Sequence, residues 1–351
     1  MILPRYRSPL PHVESVKVQM SLDQPRLKPH DRLAEALDAD LIAVQRVIRE
    51  RMQSEAAPRI PAVTAHLIEA GGKRLRPMLV LAAARLLGYA GTHHVDLAVA
   101  VEFIHTATLL HDDVVDDSKQ RRGRPTANLL WDNMSSVLVG DYLFARSFQL
   151  MVETGHLRVL GILADASATI SEGEVLQLVA ARDLATTEAT YLQVIRGKTA
   201  ALFAAATQAG AVIAGASPEE EEALRDYGDA LGIAFQIVDD LLDIEGTEAI
   251  GKNRGDDLRE GKLTLPVIRA VSAASEEERA FWTRLLARGE VGEGDVERAR
   301  DLMERHGTLA SARAEAEAWV ARAKAALERL PAHALREMLG DLADYVVARE
   351  A

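Results

Sequence analysis

The sequence predicts an all-α protein, and three observations carry that prediction. Apolar residues recur at helical spacing, as in Leu33, Leu37, Leu41, Val44 and Ile48. No segment of the chain reads as strand. Hydrophobic residues make up 48% of the 351 residues but aromatics only 4%, the balance of an Ala- and Leu-rich helical chain with a large core.

Residues 1–31 carry five prolines and no clear period. They read as an irregular N-terminal extension (1–30) ahead of one domain spanning 31–351. Arg5, Arg7 and Lys17 make the extension mildly basic, but it has no apolar core of a secretory signal, so a cytoplasmic protein is expected. Met20 is an alternative start residue. Asp31 reads as the N-cap of the first helix, and Pro58 and Pro61 mark a break.

In HLIEAGGKRLRPMLVLAAARLLG, Gly71 and Gly72 end one helix and Pro77 sits in the first turn of the next. Lys73, Arg74 and Arg76 stand between. They read either as a basic capping loop or as a diphosphate clamp, in which lysine supplies a point charge and arginine a bidentate fork.

The stretch EFIHTATLLHDDVVDDSKQRRGRPTAN follows. Its apolar helical run delivers Asp112, Asp113 and Asp116 in a DDxxD spacing. At about 100° per residue, His105, Thr108, Asp112 and Asp116 share one helix face. Like charges one turn apart repel, more so when desolvated, and a cation removes that cost. Alone the motif also fits a solvated acidic face. Arg121 and Arg122 read either as a charged loop tip or as cations sharing phosphates that a metal holds.

Further on, Asp141 lies inside a long helical stretch and is expected to pair with an arginine, while Glu172 and Glu174 stay ambiguous. Thr199 to Pro218 is uncharged, yet its Ala, Gly and Thr content suits tight helix packing rather than a membrane span. Lys198 and Thr199 precede that run. Ser217-Pro218-Glu219-Glu220 reads as a helix start with an N-cap, a proline at N1 and acids in the first turn.

FQIVDDLLDI then repeats the acidic spacing with Asp239, Asp240 and Asp243, and places Gln236 one turn upstream on the same face. Two acidic sets inside apolar helices imply one shared site bridged by metal, Mg²⁺ by the usual pairing of carboxylates with substrate phosphates. The Gly-rich stretch with Lys252, Asp256, Asp257 and Lys262 reads as a lid or a long surface loop. Residues 275–351 form charged amphipathic helices without evident chemistry. The formal net charge of −12 argues against nucleic-acid binding, and the absence of cysteine excludes disulfides and thiolate sites.

GGKRLRP, HTATLLHDDVVDD, RRGRPTAN, GDYLFA, RGKTA, FQIVDDLLD, and GKNRGDD with EGKLTLP, in this order and spacing over about residues 31–350, resemble the trans-isoprenyl diphosphate synthases. The likeness points to the long-chain group of bacterial ubiquinone biosynthesis, octaprenyl to decaprenyl. The resemblance implies a single helical bundle around a deep central cavity, usually a homodimer. It implies isopentenyl diphosphate on Lys73, Arg76, His105 and Arg122, and two to three Mg²⁺ ions between Asp112 and Asp116 on one side and Asp239 and Asp243 on the other. It implies an allylic diphosphate, farnesyl or geranyl, on Arg121, Lys198, Thr199 and Gln236, with Lys252 and Lys262 closing over it. In such enzymes bulk just upstream of the first DDxxD shortens the product. Ala107 and Thr108 are small there, so an open tunnel and a long product are expected, and a lipid-like product implies visits to the bilayer. A terpene cyclase would not need GGKRLRP and Arg122, and a non-catalytic partner subunit would not need two intact acidic motifs.

Overall fold

The helices come in this order: α1 Pro29–Ala36, α2 Asp38–Arg51, α3 Arg59–Glu69, α4 Leu75–Leu86, α5 His93–Val115, α6 Ala127–Leu130, α7 Asn133–Glu153, α8 Leu157–Ala180, α9 Glu188–Ile195, α10 Ala201–Ile213, α11 Pro218–Glu245, α12 Asp256–Glu260, α13 Leu265–Ala273, α14 Glu276–Trp282, α15 Asp295–Arg305, α16 Thr308–Leu327 and α17 Ala334–Val347. The structure is a computed structural model that describes residues 27–69, 71–121, 123–246 and 254–349. Most of the proposed extension, the Met20 start, Arg122 and Lys252 lie outside the described residues.

The all-α expectation holds. The one addition among the described residues is a two-residue antiparallel ladder, β1 Gln120–Arg121 with β2 Arg124–Pro125, turned at Gly123 with φ +73°. A ladder this short has no period to read. The first helix also begins earlier than expected: Lys28 is its N-cap, Pro29 occupies N1, and Asp31 lies in the first turn. The chain breaks again at Leu37, so Leu33 to Ile48 spans two helices rather than one.

Two long helices form the spine. Helix α11 packs between α10 and α16, and α5 packs against α7, α4 and α10. The uncharged Thr199 to Pro218 run explains the central position of α10. A Cβ at Gly210 would lie 2.6 Å from the Val80 carbonyl oxygen on α4, and one at Gly232 on α11 would lie 2.6 Å from Ala200 Cα. Only missing side chains permit such approach, so the small residues bring three backbones together. The start of α11 is as read: Ser217 accepts from the Glu220 N–H and Glu220 reaches back to the Ser217 N–H, with Pro218 at N1.

Between α9 and α10 the helix does not stop. Arg196–Ala200 forms a π turn carrying Lys198 and Thr199. Helix α8 crosses it backbone to backbone. A Cβ at Gly173 would lie 2.6 Å from the Lys198 nitrogen, and one at Gly197 3.0 Å from Gly173 Cα.

Candidate active site

Helices α5 and α11 deliver their acidic motifs to opposite walls of one cavity of about 500 Å³. From α5 the lining includes His105, Thr108 and Asp112, with Asp116 at the helix C-cap. From α11 it includes Phe235, Gln236, Asp239 and Asp240. Neither helix has a basic residue in its last turn, so carboxylates crowd the negative end of each helix dipole. That arrangement repels itself and attracts cations.

Asp112 registers the crowding. Burial pushes its carboxyl up to about 7; Lys198 opposes that shift, and the charges of Glu174 and Asp116 add to it. Lys198 Nζ sits 2.8 Å from Glu174 Oε2 and 3.9 Å from Asp112 Oδ2. The close crossing at Gly173 and Gly197 places Glu174 beside Lys198. After α12, Lys262 Nζ pairs with Glu260, lies 3.5 Å from Asp257 Oδ1 and 4.0 Å from Asp116 Oδ2. Burial alone would lower the Lys262 pKa, but Asp257 and Glu260 outweigh it and hold it above its usual value.

The basic side of the cavity is built from α4 and the β1–β2 turn. Arg76 Nη1 lies 3.1 Å from His105 Nε2, and its guanidinium stacks 4.6 Å from the Phe203 ring centroid. Arg121 is held by Asp113, through Nε at 2.8 Å and Nη2 at 2.7 Å from the same carboxylate oxygen. Arg74 takes a left-handed conformation, φ +47°, and pairs with the buried Glu102 of α5, which fixes the start of α4.

The cavity thus collects Arg76, His105, Thr108, Asp112, Asp116, Arg121, Lys198, Thr199, Gln236, Asp239 and Lys262. Three expected residues stand off its wall. Lys73 is exposed, with Nζ 5.5 Å from the Tyr345 ring centroid on α17. Asp243 is turned to the loop beyond α11, where its carboxylate accepts the Asp257 N–H at 3.3 Å. Ala107 is fully buried in the core behind Thr108. Asp141 does not meet an arginine among the described residues; His111 Nε2 lies 3.5 Å from it.

Some site residues escaped the sequence reading. Tyr191 lines the cavity and donates to Asp240 at 2.7 Å, yet it belongs to no charged cluster. Arg349 lies over the Phe235 ring, 4.3 Å from its centroid; burial lowers its pKa, and the charge of Asp239 offsets part of that shift. The donors suit a hard divalent cation: both walls offer carboxylate oxygens at helix C-termini, and no thiolate competes. Among the described residues no three acidic or histidine side chains converge on one point. Such a site fits an ion whose shell substrate phosphates complete.

The sequence profile of the polyprenyl synthetase family matches residues 57–303. The octaprenyl diphosphate synthase of Escherichia coli (strain K12) is 44% identical over 321 residues, covering 91% of this chain and 99% of that one. A crystal structure of a decaprenyl diphosphate synthase from Rhodobacter capsulatus superposes with a TM-score of 0.89 at 68% identity, over 92% of this chain and all (100%) of that one. A polyprenyl synthase from Caulobacter crescentus CB15, complexed with calcium and isoprenyl diphosphate, matches with a TM-score of 0.89 at 53% identity, over 93% and 100%. Those matches agree with a cavity built for anions and cations together: the chain belongs to the polyprenyl synthetase family and is a prenyltransferase.

Proposed function

We propose that the protein is a long-chain all-trans polyprenyl diphosphate synthase, adding isopentenyl diphosphate head to tail onto farnesyl or geranyl diphosphate until the chain holds eight to ten units, for the ubiquinone side chain. The observation that carries this reading is the pair of carboxylate walls facing one cavity, with cationic side chains at its rim. The names of the octaprenyl and decaprenyl relatives support the length.

Arg76, His105, Lys73 and Arg122 take the isopentenyl diphosphate; Arg121 and Lys198 take the allylic diphosphate, with Lys252 and Lys262 over it. Asp112 and Asp116 hold Mg²⁺ from one wall, and Asp239 and Asp243 from the other, two to three ions in all. Bound Mg²⁺ supplies charge neutralisation for the leaving diphosphate. To join them, Asp243 would have to leave the Asp257 N–H. When the allylic C–O bond breaks, its electron pair leaves with the diphosphate. The Arg121 and Lys198 charges stabilise that group from fixed positions. The oxygens of Thr199 and Gln236 face the carbocation. The isopentenyl double bond attacks it, and the proton then lost passes to the diphosphate, so no side-chain base is needed. Water must be excluded from the closed site to keep the cation from quenching.

The chain grows past Thr108, which lines the cavity. Ala107→Tyr is expected to shorten the product, and an unchanged length in that variant rules out this path. The protein is expected to act as a homodimer. Helix α7 exposes Met134, Val137, Leu138, Phe148 and Val152 along one side, an apolar face suited to a second copy. Light scattering reports its state. No helix among the described residues is long and apolar enough to cross a membrane.

The deciding experiment incubates the protein with farnesyl diphosphate, excess isopentenyl diphosphate and Mg²⁺, then sizes the prenyl chains. A ladder ending at about forty to fifty carbons is expected from eight to ten five-carbon units. A product of fifteen or twenty carbons overturns the open tunnel, and no elongation overturns the synthase reading.

A further inference from the structure

In the cavity wall, four side chains from α9, the π turn and α11 are joined in series. The Tyr191 hydroxyl donates to Asp240 Oδ2 at 2.7 Å. Gln236 Nε2 donates to Asp240 Oδ1 at 2.8 Å. The Thr199 hydroxyl donates to Gln236 Oε1 at 2.7 Å. Tyr191, Asp240 and Thr199 are all 5% exposed or less.

The direction of this series is set from its buried end. Asp240 accepts at both oxygens, from the Tyr191 hydroxyl and the Gln236 amide, as an ionised carboxylate must. Gln236 must therefore turn its NH₂ toward Asp240, because a flipped amide would set two acceptor oxygens 2.8 Å apart. The amide oxygen then faces Thr199, which has a single proton and spends it there. Lone pairs are what remain on the Thr199 and Gln236 oxygens, and both residues line the cavity.

We propose that Tyr191 and Asp240 are positioning residues for prenyl transfer: they lock the Thr199–Gln236 pair so that oxygen lone pairs, and no N–H or O–H, face the cationic carbon. The inference rests on the reading above that Thr199 and Gln236 face that cation. With the amide reversed, Thr199 would accept and its hydroxyl proton would turn toward the cavity, where it repels the positive charge. The cost of the arrangement supports a functional reason for it. The Asp240 carboxylate is only 5% exposed, and an apolar pair would brace two helices more cheaply.

The test is a double-mutant cycle read by single-turnover condensation, steady-state kcat and KM for the allylic diphosphate. Thr199→Val is expected to lower kcat about 10²-fold, as for a lost preorganised electrostatic group. Tyr191→Phe is expected to lower kcat about ten-fold, roughly one hydrogen bond's worth, with KM changed less than about two-fold. Because the relay acts in part through Thr199, the double variant should lose less than the product of the two single losses. Multiplied losses, or a Tyr191→Phe enzyme at the wild-type rate beside a slow Thr199→Val, overturn the relay alone. Thr199→Val at the wild-type rate overturns the cation-facing role and the relay with it. If Tyr191→Phe does not fold, Asp240→Asn takes its place in the same cycle, since its amide lets Gln236 reverse.

Discussion

The two acidic motifs have the same spacing and are wired differently. On α5 the first and last carboxylates, Asp112 and Asp116, line the cavity, and the middle one, Asp113, turns back to grip Arg121. On α11 the first two, Asp239 and Asp240, line it; Asp240 grips Gln236 and Tyr191, and Asp243 meets the backbone of α12. Each motif therefore keeps a spare carboxylate to orient a neighbour. One spare holds the Arg121 guanidinium, and the other holds the Gln236 amide and the Tyr191 hydroxyl. A repeated motif is not a repeated function.

That contrast can be broken at several points. The largest effects should come from what the walls share. Asp112→Asn and Asp239→Asn are each expected to lower kcat at least ~10²-fold, and EDTA to abolish turnover while circular dichroism stays helical. A variant near wild-type activity would remove that wall from the metal site. The spare carboxylates should then separate. Asp113→Asn loosens Arg121 and should raise KM for a diphosphate substrate about ten-fold, whereas Asp240→Asn should act on kcat. Equal effects on both constants in both variants would erase the distinction.

A smaller effect concerns pH. Asp112 is raised to about 7 and Asp240 is also raised, so the folded, metal-free protein binds protons there more tightly than the unfolded chain. Stability from these groups is present at low pH and lost as pH rises through their folded values. The metal-free Tm is expected to fall between about pH 5 and 8, and Mg²⁺ to restore it at the upper end. A metal-free Tm that climbs over this window would contradict the crowding on the walls. The smallest effect lies at the far end of α11. Ser217→Ala removes the capping box and should cost about 1 kcal/mol of stability with kcat unchanged.

How much of this was legible depended on chemistry that shows locally. Two DDxxD sets inside apolar helices, GGKRLRP and the uncharged run all announce themselves through residue type and spacing, and the structure brings most of them to one cavity. The phase of the acidic residues did not show. Asp243 leaves the wall because the N–H groups of α12, a one-turn helix inside a Gly-rich stretch, offer it a partner. Tyr191 lies 49 residues from Asp240, and no period links them. Asp141 meets His111 because α7 crosses α5 at Gly140, where a Cβ would strike the imidazole, a contact set by helix crossing rather than charge pattern.

The π turn at Arg196–Ala200 has one more consequence. Helices α9 and α10 form one unbroken rod from Glu188 to Ile213, and the wide turn adds a residue to its winding. A residue of offset is about 100° of rotation. The rod works like a shaft with a keyed joint: Tyr191 above the joint faces Asp240, and Gly210 below it faces α4. Substitutions along the rod would change single contacts. Deleting one residue between Arg196 and Ala200 would instead turn one half against the other, so the chain should tolerate altered side chains here far better than altered length.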